Sequence, residues 1–143
     1  MTLAIVDASA AAKWVLPEAF SEEAAYLLDG RYDLAAPELF ALEFANILTN
    51  RARRGEFDFA YARDALTRTL AALTLFADAA LATRALQLAE RHPISVYDAT
   101  YVALAAREEC TLVTADRRLY DHLIAADEAD LLWIGDIPPT AES

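Results

Sequence analysis

Four acidic residues sit where a folded chain seldom places a charge. Asp7 ends the apolar run LAIV (Leu3 to Val6), and Asp116 follows TLVT (Thr111 to Thr114). Glu43 lies between Leu42 and Phe44, and on a helix its neighbours one turn away are Leu39, Asn46 and Ile47. Asp98 opens the run SVYDATYVALA. Ionised carboxylates are rarely buried unless something pairs with them. Three of the four have a local alternative. Asp7 can cap the helix that follows it, although Ser9 offers itself for that role. Asp116 can be an N-cap. Asp98 stands three residues after Ser95, the spacing of a capping box with Asp in place of Glu or Gln. Glu43 is harder to explain locally, because it and Asn46 interrupt an apolar helical stripe.

Brought together, the four would repel one another and their pKa values would rise unless a cation were bound. A divalent metal reverses that logic and makes such a cluster stable. The set offers hard oxygen ligands, with no cysteine pair and no His-x-x-x-His spacing, which favours Mg2+ or Mn2+ over zinc.

The elements that must position these residues follow from pattern. LAIV reads as a buried strand, followed by a helix that carries Trp14 and Leu16 and stops before Pro17. SEEAAYLLDG predicts a helix capped by Ser21, with Glu22 and Glu23 in its first turn and Gly30 past its end. DLAAP (Asp33 to Pro37) predicts a strand, and a long helix then runs to Gly55. A helix over Phe59 to Leu73, a strand in LTLFA and a helix from Asp78 to His92 follow. Pro93 breaks the pattern before a helix starting at about Ser95. TLVT is a second buried strand, followed by a helix through Leu119, His122 and Leu123. LLWIG reads as the last strand, and the segment from about 136 to 143 as a loose tail. Short apolar strands alternating with helices predict one α/β domain over residues 1–143, a short, mostly parallel β-sheet with helices on both faces. Ligands of such sheets bind beyond the carboxyl ends of the strands, where Asp7 and Asp116 fall.

Composition sets outer bounds. The 143 residues are 57% apolar and carry a net charge of −11, which argues against gripping nucleic acid by bulk attraction. Cys110 is the only cysteine, so neither an intramolecular disulfide nor a cysteine-rich zinc site can form. No apolar run spans a bilayer and the start lacks a signal-peptide pattern, so the expectation is a cytoplasmic protein with no membrane partner.

In that order, IVDASA, ELFALEFANIL, SVYDATYVALA and LVTADRRL resemble the motifs of PIN-domain ribonucleases, above all the toxins of VapBC toxin–antitoxin pairs. The likeness runs from Asp7 to the strand around Trp133. It implies a PIN-like fold and a metal-binding quartet of Asp7, Glu43, Asp98 and Asp116, flanked by the polar residues Ser9, Asn46 and Thr114. It also implies a Mg2+-dependent endoribonuclease (Mn2+ as substitute) that hydrolyses RNA with activated water. A VapB-like antitoxin partner and a homodimer complete the family picture, with Trp14, Phe40, Phe57, Phe59 and Tyr61 available for a receiving groove, a dimer face or simply core.

An RNA substrate needs cations. Arg51, Arg53 and Arg54 are the densest group and Arg117 and Arg118 the next, although arginines near a helix C-terminus also complement its dipole. Two-histidine chemistry is disfavoured, since His92 and His122 belong to no evident acid–base pair and read as structural or surface residues. The rival from another class is a catalytically silent PIN-like module that binds RNA or protein. A receiver domain lacks its late lysine, Lys13 being the only one, and a haloacid-type phosphatase would need Asp-x-Asp after the first strand. A dinucleotide fold fails for want of a Gly-rich loop, since the glycines are Gly30, Gly55 and Gly135.

Overall fold

Ala4, Ile5 and Val6 are buried one after another in the first strand, β1 (Thr2–Val6). Successive strand residues point to opposite faces, so both faces of the sheet must be covered. The computed structural model, which describes residues 1–140, has that architecture. Five strands, β1, β2 (Tyr32–Pro37), β3 (Thr74–Phe76), β4 (Thr111–Thr114) and β5 (Asp130–Trp133), form one sheet in the order β3-β2-β1-β4-β5. Every pairing is parallel, which sharpens the expectation of a mostly parallel sheet.

Seven α-helices flank the sheet: α1 (Ala8–Ala12), α2 (Ser21–Tyr26), α3 (Leu39–Arg53), α4 (Phe59–Ala71), α5 (Ala82–Arg91), α6 (Val96–Arg107) and α7 (Arg117–Ile124). The chain steps outward from β1 through β2 to β3, then returns to place β4 on the other side of β1. That reversal opens a crevice at the carboxyl ends of β1 and β4, the usual ligand position in open α/β sheets. Val6 pairs with Val113 there, and the Asp7 amide donates to the Val113 carbonyl at 3.2 Å.

Two helices build the walls of the crevice. In α3, Phe40, Phe44, Leu48 and Ala52 recur every four residues and are buried, with the two phenyl rings stacked at 5.3 Å. This stripe fixes the helix's rotation and aims the adjoining Glu43, Asn46 and Ile47 at the crevice. The α3 amino end is tied from a distance, because the Leu39 amide donates to the Asp78 carboxylate at 2.8 Å. In α6, every residue from Ala99 to Ala105 is buried, including Tyr101 and Val102. A helix sunk this deeply cannot rotate without exposing apolar surface at roughly 25 cal/mol per Å2.

Several local expectations change. α1 is only Ala8–Ala12 and is capped by Asp7, with Ser9 inside the helix and Trp14 and Leu16 in the turns beyond. α2 is not capped by Ser21: Phe20 precedes it in a left-handed conformation (φ 68°), and the Ser21 hydroxyl is engaged with Leu16 and Glu18. The helix expected from Asp78 starts as a 3-10 turn (Ala79–Leu81) before α5. β5 begins at Asp130 and ends at Trp133, and Ile134–Asp136 form a second 3-10 turn. The segment expected to be a loose tail is held in part. Ile137 is buried, and Arg31 donates to the carbonyls of Pro138 at 2.6 Å and Pro139 at 3.4 Å. The rest of that segment, residues 141–143, lies outside the described residues.

Candidate active site

The crevice is a cleft of about 270 Å3 lined by Asp7, Ser9, Glu43, Asn46, Asp98, Tyr101 and Asp116, among others. Five elements or their edges supply them, so residues up to 109 positions apart in sequence face one space. Asp7 is the anchor. Its carboxylate accepts from the Ala10 amide at 2.9 Å and from the Ser9 hydroxyl at 2.6 Å. Capping and facing the cleft are therefore one geometry, not alternatives. Burial raises the Asp7 pKa to about 6; the bonds from Ser9, Thr114 and Ala10 oppose the rise, and the nearby charge of Asp98 adds to it.

Ser9 also accepts from the Ala115 amide at 3.1 Å, so one hydroxyl joins the turn after β1 to the turn after β4. Fully buried Thr114 accepts from the Asp116 amide at 3.0 Å, and Asp116 caps α7 through the Leu119 amide at 3.1 Å. These bonds set the β4–α7 turn that carries Asp116. Asn46 lines the cleft one turn from Glu43 and is exposed.

Glu43 has a partner that sequence reasoning missed. Tyr101 is buried and donates its hydroxyl to Glu43 Oε1 at 2.7 Å. Burial raises the Glu43 pKa, the Tyr101 bond opposes this, and the Asp98 charge adds to the rise. The Tyr101 phenol is itself pushed up, first by burial and then by its bond to that carboxylate. The available signal was spacing: Tyr101 is three residues after Asp98, hence on the same helix face.

Asp98 is half-buried and linked electrostatically to each of the other three. Its pKa is raised by burial and by the Asp116 charge, while Ser95 opposes the shift. Its own charge raises Asp7 and Glu43 in turn. Ser95 caps α6 as the spacing suggested, accepting from the Asp98 amide at 3.0 Å.

The donor chemistry fits a hard divalent cation. The four acids offer only oxygen, and for three of them ionisation is opposed by burial and by one another, a penalty that a bound cation removes. Among the described residues, no three His, Cys, Asp or Glu side chains are gathered tightly enough to form a cation site as they stand.

The arginines divide. Arg51 is bound by Glu56 at 3.0 Å and Glu18 at 3.3 Å. With Arg54 and Lys13 it lines a second cavity that meets the cleft at Ser9 and Ile47. Arg53 is exposed and lines neither. Arg117 turns away, paired with Asp121 at 3.2 Å and lying 5.0 Å over the Trp133 ring. Arg118 lines a third cavity with Asp98, Asp116 and His122. His122 thus borders the acids, while His92 is taken by Glu128 at 3.0 Å. Of the aromatic residues, Phe40 is core, whereas Phe59 and Tyr61 are exposed and Trp14 and Phe57 are partly buried.

A family model described as PIN domain matches residues 4–123. Ribonuclease VapC3 of Pyrobaculum aerophilum is 38% identical over 118 residues, covering 80% of this chain and 90% of that protein. Ribonuclease VapC9 of Mycobacterium tuberculosis is 38% identical over 118 residues, covering 82% of this chain and 88% of the relative. The solved structure of PAE2754 from Pyrobaculum aerophilum superposes with a TM-score of 0.74 at 25% identity, covering 94% of this chain and 90% of that one.

Proposed function

The chain belongs to the PIN-domain family, and from that membership we propose that it is a hydrolytic endoribonuclease, the toxin of a VapBC-type toxin–antitoxin pair. One observation carries the reading: Asp7, Glu43, Asp98 and Asp116 line a single cleft at the sheet's ligand-binding edge, with Asp98 linked electrostatically to the other three. The same four residues would hold one or two Mg2+ ions, or Mn2+ in their place. Bound there, the metal supplies activation of the attacking water and neutralises charge on the scissile phosphate.

The chain's own residues do the rest. Asp7 is held by the Ser9 hydroxyl and the Ala10 amide, so it meets a cation in a fixed orientation. Tyr101 fixes one oxygen of Glu43 and leaves the other for the cleft. Thr114 sets the turn that presents Asp116. Asn46 offers an uncharged donor and acceptor at the cleft rim, suited to a ribose or phosphate oxygen. No side-chain nucleophile is needed, because water attacks phosphorus and the 3′- or 5′-oxygen departs with a proton taken from solvent. The partners are RNA, a VapB-like antitoxin and a second copy of the chain, in the cytoplasm where RNA and antitoxin are made.

The test is cleavage of total RNA by the purified chain in Mg2+ and in EDTA, beside Asp7→Asn and Asp98→Asn. Cleavage in Mg2+ alone, lost in both variants, is the expected result. Equal cleavage by all three proteins, or none by the native one, would instead favour a silent binding module.

A further inference from the structure

We propose that the cavity lined by Ile94, Ser95, Asp98, Asp116, Arg118 and His122 is a phosphate subsite for a single RNA strand, holding the phosphodiester next to the one at the carboxylates. The proposal rests on the nuclease reading above and adds where, and by which cation, the substrate is gripped.

A strand that brings a phosphate to four acids on a protein of net charge −11 meets repulsion before any contact forms. It needs an uncommitted cation close by. Arg51, in the densest arginine group, is ion-paired with Glu18 and Glu56, and Arg117 is ion-paired with Asp121 and lies over the Trp133 face. Arg118 differs. Like Arg53 and Arg54 it is exposed and, among the described residues, makes no ion pair, but of the five it is the one that lines a cavity with Asp98 and Asp116. Its planar fork matches a phosphate's paired oxygens.

Placement supports the pairing. The cavity shares Asp98 and Asp116 with the main cleft, so the two spaces adjoin across those carboxylates. His122 follows Arg118 by four residues on α7 and stands on the same helix face, adding a ring nitrogen. Leu119 and Ile94 give an apolar wall against which a ribose can lie. At about 170 Å3 the space is below the range of drug-sized ligand pockets and of the order of a phosphodiester with part of its sugar.

The experiment measures binding of a fluorescein-labelled, randomised, short single-stranded RNA across a salt series in EDTA, then RNA cleavage in Mg2+. Arg118→Ala should weaken binding about tenfold, the loss of one charge-assisted contact. It should also lower the slope of log affinity against log salt by about 0.7, the increment for one phosphate on a single strand. Arg118→Lys should keep the slope and recover only part of the affinity, since it restores charge without the fork. Arg117→Ala should match the native chain in both. In the cleavage arm, Arg118→Ala should raise KM far more than it lowers kcat. The subsite is refuted if Arg118→Ala keeps the native slope and affinity, or if Arg117→Ala loses as much. A native chain that binds RNA without cutting it, with the slope loss present in Arg118→Ala, keeps the subsite and refutes the nuclease reading alone. A native chain that neither binds RNA in EDTA nor cuts it in Mg2+ refutes both.

Discussion

Asp7 and Asp58 begin two helices with almost the same backbone. Their φ, ψ values are −83°, 168° and −85°, 168°, and each carboxylate accepts from the amide three residues ahead. Asp58 is exposed and its work ends with that bond to Tyr61, 2.8 Å long. Asp7 is buried beneath α3 and α6 at the sheet's carboxyl edge, takes a second bond from Ser9 and feels the charge of Asp98. One local motif thus only caps a helix at the start of α4, while at the sheet's edge it also presents its carboxylate to a cleft. A cap says nothing about function until its surroundings are known.

The sharpest way to break this comparison is Asp→Asn at both positions, which keeps a cap oxygen at each. Asp7→Asn should reduce RNA cleavage by about a thousandfold, because charge held against a catalytic cation is worth several kcal/mol in the transition state. Asp58→Asn should cut RNA at the native rate. Initial rates on one RNA substrate settle it, and comparable losses in both variants would overturn the distinction.

Stability should move the other way. A carboxyl whose pKa rises on folding, here from 3.8 to about 6, binds more protons in the folded state than in the unfolded one between those values. Its favourable contribution is complete below pH 3.8 and is lost as pH rises through 6, so native Asp7 costs about 3 kcal/mol at pH 8 without metal. Asp7→Asn removes the titration. In EDTA it should be more stable than the native chain by up to about 3 kcal/mol at pH 8, and no more stable at pH 3.5. Urea unfolding at the two pH values measures this. Asp58→Asn, altering an exposed cap by one atom, should show no such pH-dependent gain, and a gain at Asp7 that ignores pH would mean burial is not its cause.

Much of the frame was legible because it depends on local pattern. LAIV and TLVT are buried strands with an acid just beyond each, and the stretch after Pro37 up to Gly55 reads as the one long helix that α3 is. The meeting of the four acids in one cleft follows from the strand order, which alternating strands and helices suggest without specifying. What stayed hidden lies across long sequence separations or between two equally good local choices. Ser9 and Asp7 are both plausible caps, and only the Ala115 amide, which engages the Ser9 hydroxyl, decides between them. The Tyr101–Glu43 bond spans 58 positions and Arg51–Glu18 spans 33, so no periodicity reveals either. Five arginines look equivalent in sequence; in the fold Arg118 is the one that shares a cavity with Asp98 and Asp116, unpaired among the described residues, while Arg117 is paired with Asp121 and lies over Trp133.

Tyr101→Phe sharpens the comparison from the other wall of the cleft. It deletes the hydroxyl on Glu43 and leaves the ring that packs α6. Loss of a group that orients a metal-binding carboxylate typically costs 10- to 100-fold in affinity or activity, so cleavage should fall by about that factor. Higher Mg2+ should recover part of it. A Tyr101→Phe chain that cuts RNA at the native rate would show that Glu43 needs no positioning.

The smallest effect returns to α4. Asp58→Ala removes the side-chain bond to the Tyr61 amide that closes its first turn, and loss of such a cap costs about 1 kcal/mol. The Tyr61 hydroxyl donates to the Val15 carbonyl at 2.9 Å, so the start of α4 is also tied to the segment after α1. Fraying there can loosen that tie without reaching the acids, which α3, α6 and the strand ends hold. The expected result is a pH-independent loss of about 1 kcal/mol in urea unfolding, with RNA cleavage unchanged at temperatures where the variant is folded. Should cleavage fall along with stability, the amino end of α4 would be coupled to the cleft, and the two caps would differ in degree and not in kind.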